Sequence, residues 1–563
     1  MRVLGIHIGH DSSAALVVDG TIVADVAEER FTRTKHYAGW PLQSIEYCLS
    51  FVNGNINDVD AIAIPSLKPM PDLNYLLTLR DGQREKIPFE IMVLEIAQKM
   101  KRARISRPPI YIKSFALNRN VPIVHVEHHL AHAASAYYTS GTGEKQIIAT
   151  VDGIGDHFSS CIWRGENGKI EPLYKGGRKS SIGWFYSVVT EALGWWHGDG
   201  EGKTMGLAPY GDYLACKGIL DPYYPKFENG KLLEGHEFGT VYSWDQNGAI
   251  QWHLEDAVSV NELTTRYGRE NIAAEAQRIL EEQVANFVLP WLGKEHTRNL
   301  SCAGGVFLNV KLNQRIWESG KVAKHHIYPN AGDAGLAAGA ALYVYYSNNP
   351  YYEIRSIDNV YWGPDYRDQI PETLKLRKLD YKYIDNPEVL AAKYLAENKI
   401  VAWFQGRMET GPRALGNRSI LMSANRAENK DIINARVKFR EPFRPFCPSL
   451  LWESREDYLT NGRDEHFMIT SFNIKDSKRS QVPAVVHVDG TVRPQTVKRE
   501  YNEKFWNLIK AFGNLTGENL VLNTSFNIMG EPIVNHPREA IRCFYDNGID
   551  HLFLGNFLLS KGK

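Results

Sequence analysis

The sequence predicts an α/β fold with an internal duplication, divided into more than one domain. Three observations carry this. A unit of strand, polar loop, strand, tight turn and third strand opens the chain and recurs after residue 145. Around these units, helical periodicities alternate with short apolar runs of strand length. A chain of 563 residues also exceeds what one hydrophobic core organises, so two to four domains are expected.

In the first unit Val3 to Ile8 is an apolar run, Gly9 to Ser13 a polar loop and Ala14 to Val18 a second strand. Asp19-Gly20 is a hairpin signal leading into Thr21 to Ala27. The second unit has Ile147 to Val151, the loop Asp152 to Asp156, Phe158 to Trp163, a turn around Gly165 to Gly168 and a third strand. Each carries an Asp in its first loop. Such duplication marks the actin, sugar-kinase and Hsp70 class of ATP-handling folds, where two equivalent loops face each other across a phosphate-binding cleft. A coincidental pair of hairpins would leave the same trace.

Between the units, Pro65 to Pro109 is Pro-punctuated and reads as a peripheral insertion. Val121 to Val126 is strand-like and feeds a helix rich in Ala and Leu, VEHHLAHAASAYY. Trp184 to Gly211 starts as an amphipathic helix and ends Gly-rich, and Ile272 to Val288 is a clear amphipathic helix. Asn299 to Cys302 is a strand running into Gly304, Gly305 and Asn309 at a helix start, a candidate nucleotide or phosphate seat. Asp333 opens a small-residue helix, where capping is the commoner role. Asn348 to Tyr366 is turn-rich and reads as a boundary, so the domains are drawn as 1–355 and 356–563. Beyond it come a helix from Asn386-Pro387, a buried strand from Ile400 to Phe404 and a late strand ending in Asn-Thr-Ser.

Lys plus Arg and Asp plus Glu are both 65, so no global field favours nucleic acid or an anionic membrane surface. Six scattered cysteines without a C-x-x-C fit cytosolic thiols. Met1 leads straight into a strand, and no apolar run reaches spanning length, so a cytoplasmic protein is expected.

Two clusters point to chemistry. His128 and His132 lie four apart on one helix face, the spacing that offers two nitrogens to one metal ion. His129 stands where the zinc-protease pattern has its general-base Glu, and two buried structural histidines would satisfy the spacing equally. From Gln405 to Phe446 there are nine basic residues against four acidic ones. Arg407, Arg413, Arg418, Lys438, Arg440 and Arg444 recur among glycines and prolines instead of along a helix face. That describes a rigid pocket for phosphate or carboxylate groups.

At full length the chain resembles the O-carbamoyltransferases of nodulation and antibiotic biosynthesis. The matching stretches include HDSSAALVVDG, EERFTRTKH, VEHHLAHAASAYY, TVDGIGDH, EGKTMGLAPYG, AGDAGLAAGAAL, FQGRMETGPRALGNRSIL, VKFREPFRPFCPS, HVDGTVRPQTV and LNTSFNIMGEPIV, in order. The resemblance implies a duplicated ASKHA-type N-terminal domain and a YrdC-like C-terminal domain. It implies that carbamoyl phosphate and ATP, with Mg²⁺, form carbamoyl adenylate in the second, and that a small-molecule alcohol receives the carbamoyl group in the first, the two steps in two chambers. Position by position it implies iron(II) on His128, His132, Asp152 and Asp333, His10 beside Asp11 as base, and Lys35 reaching toward the activation site. Arg413, Arg418, Lys438 and Arg444 would bind carbamoyl phosphate and nucleotide, with Ser525 in the wall and Arg407 beside them. Cys302, near Gly304-Gly305, keeps a thiolate ligand open. The alternatives are threonylcarbamoyl transfer to tRNA, disfavoured by zero net charge, and an ASKHA-type kinase, which would need Mg²⁺ on oxygens instead of imidazoles. A non-catalytic nucleotide sensor is the third. The acceptor and any homodimer are left open.

Overall fold

The structure, a computed structural model, describes residues 1–67, 121–244 and 250–561. From residue 68 on, the insertion expected at Pro65 to Pro109 lies outside the described residues. Asp19 and Gly20 both take positive φ (47° and 76°), as a two-residue hairpin requires, and join β2 (Ser13–Val18) to β3 (Thr21–Ala27). β1 (Arg2–His7) pairs antiparallel with β2 and parallel with β4 (Ala61–Ile64), which pairs parallel with β5 (Ile123–His125). The first sheet is therefore ordered β3-β2-β1-β4-β5.

The second unit repeats this order. β6 (Gln146–Gly155), β7 (Phe158–Glu166) and β8 (Lys169–Gly177) form the antiparallel meander, and the strands Asn299–Ala303 and Lys324–Ile327 add parallel neighbours on the β6 side. The duplication thus extends to all five strands of each sheet. One element departs from expectation: Asp152 to Gly155 is not a free loop but a bulged continuation of β6. The register shifts between Val151 and Gly155, and the chain reverses at Asp156 and His157, both at positive φ (45° and 80°).

Two helices lie between the sheets. His128–Tyr137 follows β5 yet packs on β6 and Asn299–Ala303, while Leu336–Asn348 packs on β1, β2 and β4. Their alanines form the centre of a shared core with Val3, Ala15 and Ile148. The layers are so close that a Cβ on Gly5 would stand 1.9 Å from the Ala337 carbonyl oxygen, and one on Gly339 2.0 Å from that of Ala131. Strand alternation sends Ile147, Ala149 and Val151 to the opposite face. There the helices Ile182–Ala192 and Arg269–Lys294 cover them, burying the stripe expected over Ile272 to Val288.

The C-terminal sheet is mixed and eight-stranded, with Val401–Phe404, Arg418–Ser423 and Leu520–Ser525 at its middle. Val401 and Trp403 face the helices Pro387–Ala396 and Glu503–Thr516, while Ala402 and Phe404 face Pro537–Tyr545. Ile354, Val360 and Trp362, from the stretch read as a boundary, are buried in the core of the N-terminal helices. Arginines fasten the two parts. Arg33 donates to the carbonyls of Ile533 (2.8 Å) and Pro532 (2.6 Å), and Arg30 to that of Gly411 (2.9 Å). No helix among the described residues is long and apolar enough to cross a membrane.

Candidate active site

Glu127 starts the helix His128–Tyr137 by accepting the His129 amide (3.0 Å), and Asp156 accepts that of His128 (3.0 Å). One turn of helix then sets the His128 and His132 rings 4.8 Å apart. Their neighbour His129 is spent elsewhere, its ring nitrogens held by the Thr150 hydroxyl (3.0 Å) and the Phe158 carbonyl (2.9 Å). His132 Nε2 lies 3.1 Å from Asp152 and 3.5 Å from Asp333; His128 Nε2 is 3.6 Å from each. The bulge in β6 delivers Asp152. Asp333 does not take the capping role open to it, for the helix Leu336–Asn348 has Gly335 at its N-cap and no side-chain cap.

The four ligand atoms lie within 4.8 Å of one another. The buried His128 Nε2 has no hydrogen-bond partner among the described residues. Burial works against a charged His132, but Asp152 and Asp333 outweigh it and push it up to about 9. Burial alone would raise Asp152; the two imidazoles hold it well below the usual carboxylate range. These carboxylates draw positive charge to one point, and an orphaned nitrogen faces the same point, so the set fits a divalent cation. Cys302 is not part of it, being fully buried with its thiol toward His325 (3.8 Å).

His10 adjoins this cluster. Its Nε2 is 3.3 Å from Asp333 and its Nδ1 3.0 Å from Asp11. The side chain is 63% exposed, but to a cavity instead of the outer surface. Burial opposes its charge, yet Asp333 and Asp11 push it up to about 10. Asp11, Glu29 and His36 form a second close set. Its cations are the protein's own, since His36 meets Asp11 (2.7 Å) and Asp199 (3.3 Å) and Lys35 also pairs with Asp199.

A single cavity of about 1370 Å³ runs from His10, Asp152 and Asp333 to Arg413, Arg440, Arg444 and Arg493, past Lys35, Gly305 and Asn309. The residues expected in two chambers thus open onto one space. Burial, with Arg493 and Arg444 nearby, lowers Arg413 to about 9; burial, with Arg444 first among its neighbours, lowers Arg440 to about 9. Ser525 and Asn527 complete this wall. Lys438 stands behind it, donating to the Ser525 hydroxyl (3.2 Å) and the Asn527 side chain (2.8 Å). Gly304, at φ 98°, backs onto the Val151 carbonyl, and Asn309 caps the helix Val310–Glu318 by accepting the Leu312 amide (3.0 Å).

Arg407 and Arg418 do not line the cavity. Arg418 is fully buried over the Phe404 ring (3.6 Å) and donates to the carbonyls of Gln405 (2.6 Å), Asn417 (3.0 Å), Gly406 (3.2 Å) and Pro364 (3.3 Å). Arg407 reaches the Val23 carbonyl (2.8 Å) and the Tyr47 hydroxyl (3.0 Å). Sequence reasoning missed Arg493, His36 and Asp199 as site residues. Each sits inside a stretch that had been recognised, but only the fold brings it to the cavity.

Residues 2–342 match the family described as carbamoyltransferase N-terminus, and residues 392–561 the one described as carbamoyltransferase C-terminus. The chain belongs to the carbamoyltransferase family. Nodulation protein NolNO of Sinorhizobium fredii is 34% identical over 98% of this chain and 79% of its own length. Nodulation protein NolO of Bradyrhizobium diazoefficiens is 36% identical over 77% of this chain and 79% of its own. The uncharacterized protein sll1178 of Synechocystis is 35% identical over 98% and 95%. Among solved structures, full-length HypF in its phosphate- and nucleotide-bound form aligns at a TM-score of 0.33 and 12% identity, covering 61% of this carbamoyltransferase and 55% of HypF.

Proposed function

We propose that this carbamoyltransferase converts carbamoyl phosphate and Mg²⁺-bound ATP to carbamoyl adenylate at the arginine end of the cavity, within a C-terminal domain of residues 356–563. The carbamoyl group then passes to a hydroxyl of a small-molecule acceptor at the histidine end, within an N-terminal domain of residues 1–355. The observation that carries this reading is the single cavity joining a guanidinium cluster to a histidine-carboxylate cluster.

At the first end, Arg413, Arg440, Arg444 and Arg493 crowd together, and their mutual repulsion is relieved by bound phosphates. Fixed cations of this kind stabilise charge that moves between phosphate oxygens without reorganising. Water first cleaves the phosphorus–oxygen bond of carbamoyl phosphate, releasing phosphate and carbamate. A carbamate oxygen then bonds to the ATP α-phosphorus as the bond to the β-phosphate bridge breaks and pyrophosphate leaves. At the other end the acceptor oxygen bonds to the carbamoyl carbon while the bond from that carbon to the AMP oxygen breaks. Bound to a divalent cation, Asp333 would lend His10 less of the carboxylate charge that keeps it protonated. In the neutral form so favoured, Nε2 takes the hydroxyl proton while the hydrogen bond to Asp11 keeps the other ring proton on Nδ1. His128, His132, Asp152 and Asp333 would hold a divalent ion, which we assign as iron(II) from two imidazoles and two carboxylates without thiolate; when bound it supplies Lewis acidity at the carbamoyl carbonyl.

The half-reactions should separate by substitution. Arg413→Ala is expected to lower carbamoyl phosphate-dependent ATP–pyrophosphate exchange by about 100-fold, the scale of losing one fixed charge-stabilising donor. His128→Ala should leave that exchange within a few fold and abolish AMP-yielding transfer. If both variants lost exchange equally, the division of the cavity would be wrong.

A further inference from the structure

His36 has no role in the reading above, yet it holds together the loops that carry His10, Asp11 and Lys35. It stands at positive φ (54°), as does Asp11 (57°). Non-glycine residues stay there when their surroundings over-determine them. The His36 amide donates to Glu29 (3.0 Å), and the Ser12 amide to the Tyr37 carbonyl (3.0 Å), tying the two loops together. His36 Nδ1 donates to one Asp11 oxygen at 2.7 Å, and His10 Nδ1 to the other at 3.0 Å. His36 Nε2 faces Asp199, 3.3 Å away. The line His36–Asp11–His10 therefore ends on His10 Nε2, at the edge of the His128/His132 cluster.

We propose that His36 is a positioning residue for carbamoyl transfer: its Nδ1–H fixes the Asp11 carboxylate, and through Asp11 the tautomer and orientation of His10. This rests on the reading of His10 as the base. A carboxylate with one partner turns freely about its last torsion, and in a wet cavity water competes for the second oxygen. Imidazoles on both oxygens hold the carboxylate plane and so the His10 ring. Burial works against a charged His36, but Asp11 and Asp199 push it up to about 10, so both ring nitrogens donate near neutral pH. With both nitrogens engaged, His36 does not itself meet the reacting atoms.

The geometry supplies its own rescue test. Asn carries an amide nitrogen where His Nδ1 stands and can keep the bond to Asp11; Gln reaches the Nε2 position, toward Asp199. Turnover is read as AMP release from ATP and carbamoyl phosphate, with glycerol as hydroxyl donor and with water alone, beside pyrophosphate exchange. His36→Ala and His36→Gln should lower kcat by about 10- to 100-fold, the usual cost of losing such a supporting partner. The KM for carbamoyl phosphate and the exchange rate should stay within twofold. His36→Asn should regain most of kcat, and His36→Ala should cost nothing more in a His10→Ala background. The inference is overturned if exchange falls as far as AMP release, if only KM changes, if His36→Asn is as slow as His36→Ala, or if the two losses multiply. His10→Ala measured alone separates the layers. Full transfer without His10 sinks the base assignment, whereas a dead His10→Ala beside an active His36→Ala sinks only the positioning role. Should His36→Ala fail to fold, the His36→Asn and His36→Gln pair decides by the same contrast.

Discussion

His129 and His132 stand three residues apart on one helix, and their surroundings give them opposite jobs. Thr150 and Phe158 engage both nitrogens of His129, and burial holds it well below the usual histidine range, so it is a neutral core residue. His132 meets two carboxylates at 3.1 and 3.5 Å and keeps its Nε2 for the site. The same division separates Arg418, whose donors go to backbone carbonyls, from Arg413, which faces the cavity without a carboxylate partner among the described residues. The metal assignment is tested at this scale. Elemental analysis of anaerobically purified protein should find iron, or restore it with iron(II), and a His128→Ala/His132→Ala variant should lose it at least tenfold. His129→Asn should keep the metal yet lose about 1–3 kcal/mol of stability for disturbed buried hydrogen bonds. Equal iron in wild type and the double variant would remove the site.

Helix spacing at the middle layer sets where those histidines lie. His128–Tyr137 and Leu336–Asn348 approach so closely that backbone meets backbone at Gly339, and Leu336–Asn348 meets β1 at Gly5. Alanines fill the rest of this seam, which explains why both helices read as small-residue runs. Gly339→Ala would drive its Cβ to 2.0 Å from the Ala131 carbonyl oxygen, forcing the helices apart. The cost expected for such overpacking is about 1–3 kcal/mol, with weaker metal retention because Ala131 neighbours His132. Gly293 is the contrasting position, in the long helix with nothing within 4 Å of an added Cβ. Gly293→Ala should stabilise by about 0.5–1 kcal/mol. Thermal melts of the two variants must move in opposite directions for this packing account to hold.

At the scale of the molecule, the cavity lies where the N-terminal sheets and the C-terminal sheet are clamped together. Arg407 is one clamp, joining the loop after Val401–Phe404 to Val23 and Tyr47, and Arg33 is another. Arg407→Ala should cost about 1.5–3 kcal/mol, the range for hydrogen bonds to a charged group, and split the melting transition in calorimetry as the halves uncouple. Exchange at saturating substrates should survive, since Arg407 does not line the cavity. A single unchanged transition would mean that the clamp carries no coupling.

Local order was legible without the fold. The hairpin Asp19-Gly20, the repeated meander, the i, i+4 histidines and the strand before Gly304-Gly305 follow from turn chemistry and periodicity, which act within a few residues. From these the α/β duplication and the histidine pair could be written down, whereas Asp152 and Asp333 entered the metal set only through the family resemblance. What each polar side chain finally touches depends on residues hundreds of positions away. Arg407 and Arg418 share their cassette with Arg413, and composition ranks them alike. Only packing reveals that buried carbonyls must be satisfied first, so that two of the three become struts and one faces the cavity. The sequence by itself thus determined the repeated sheets and the kinds of group available for catalysis. Tertiary structure decided which of those groups remain free for substrate, because a buried donor is committed by its nearest acceptor.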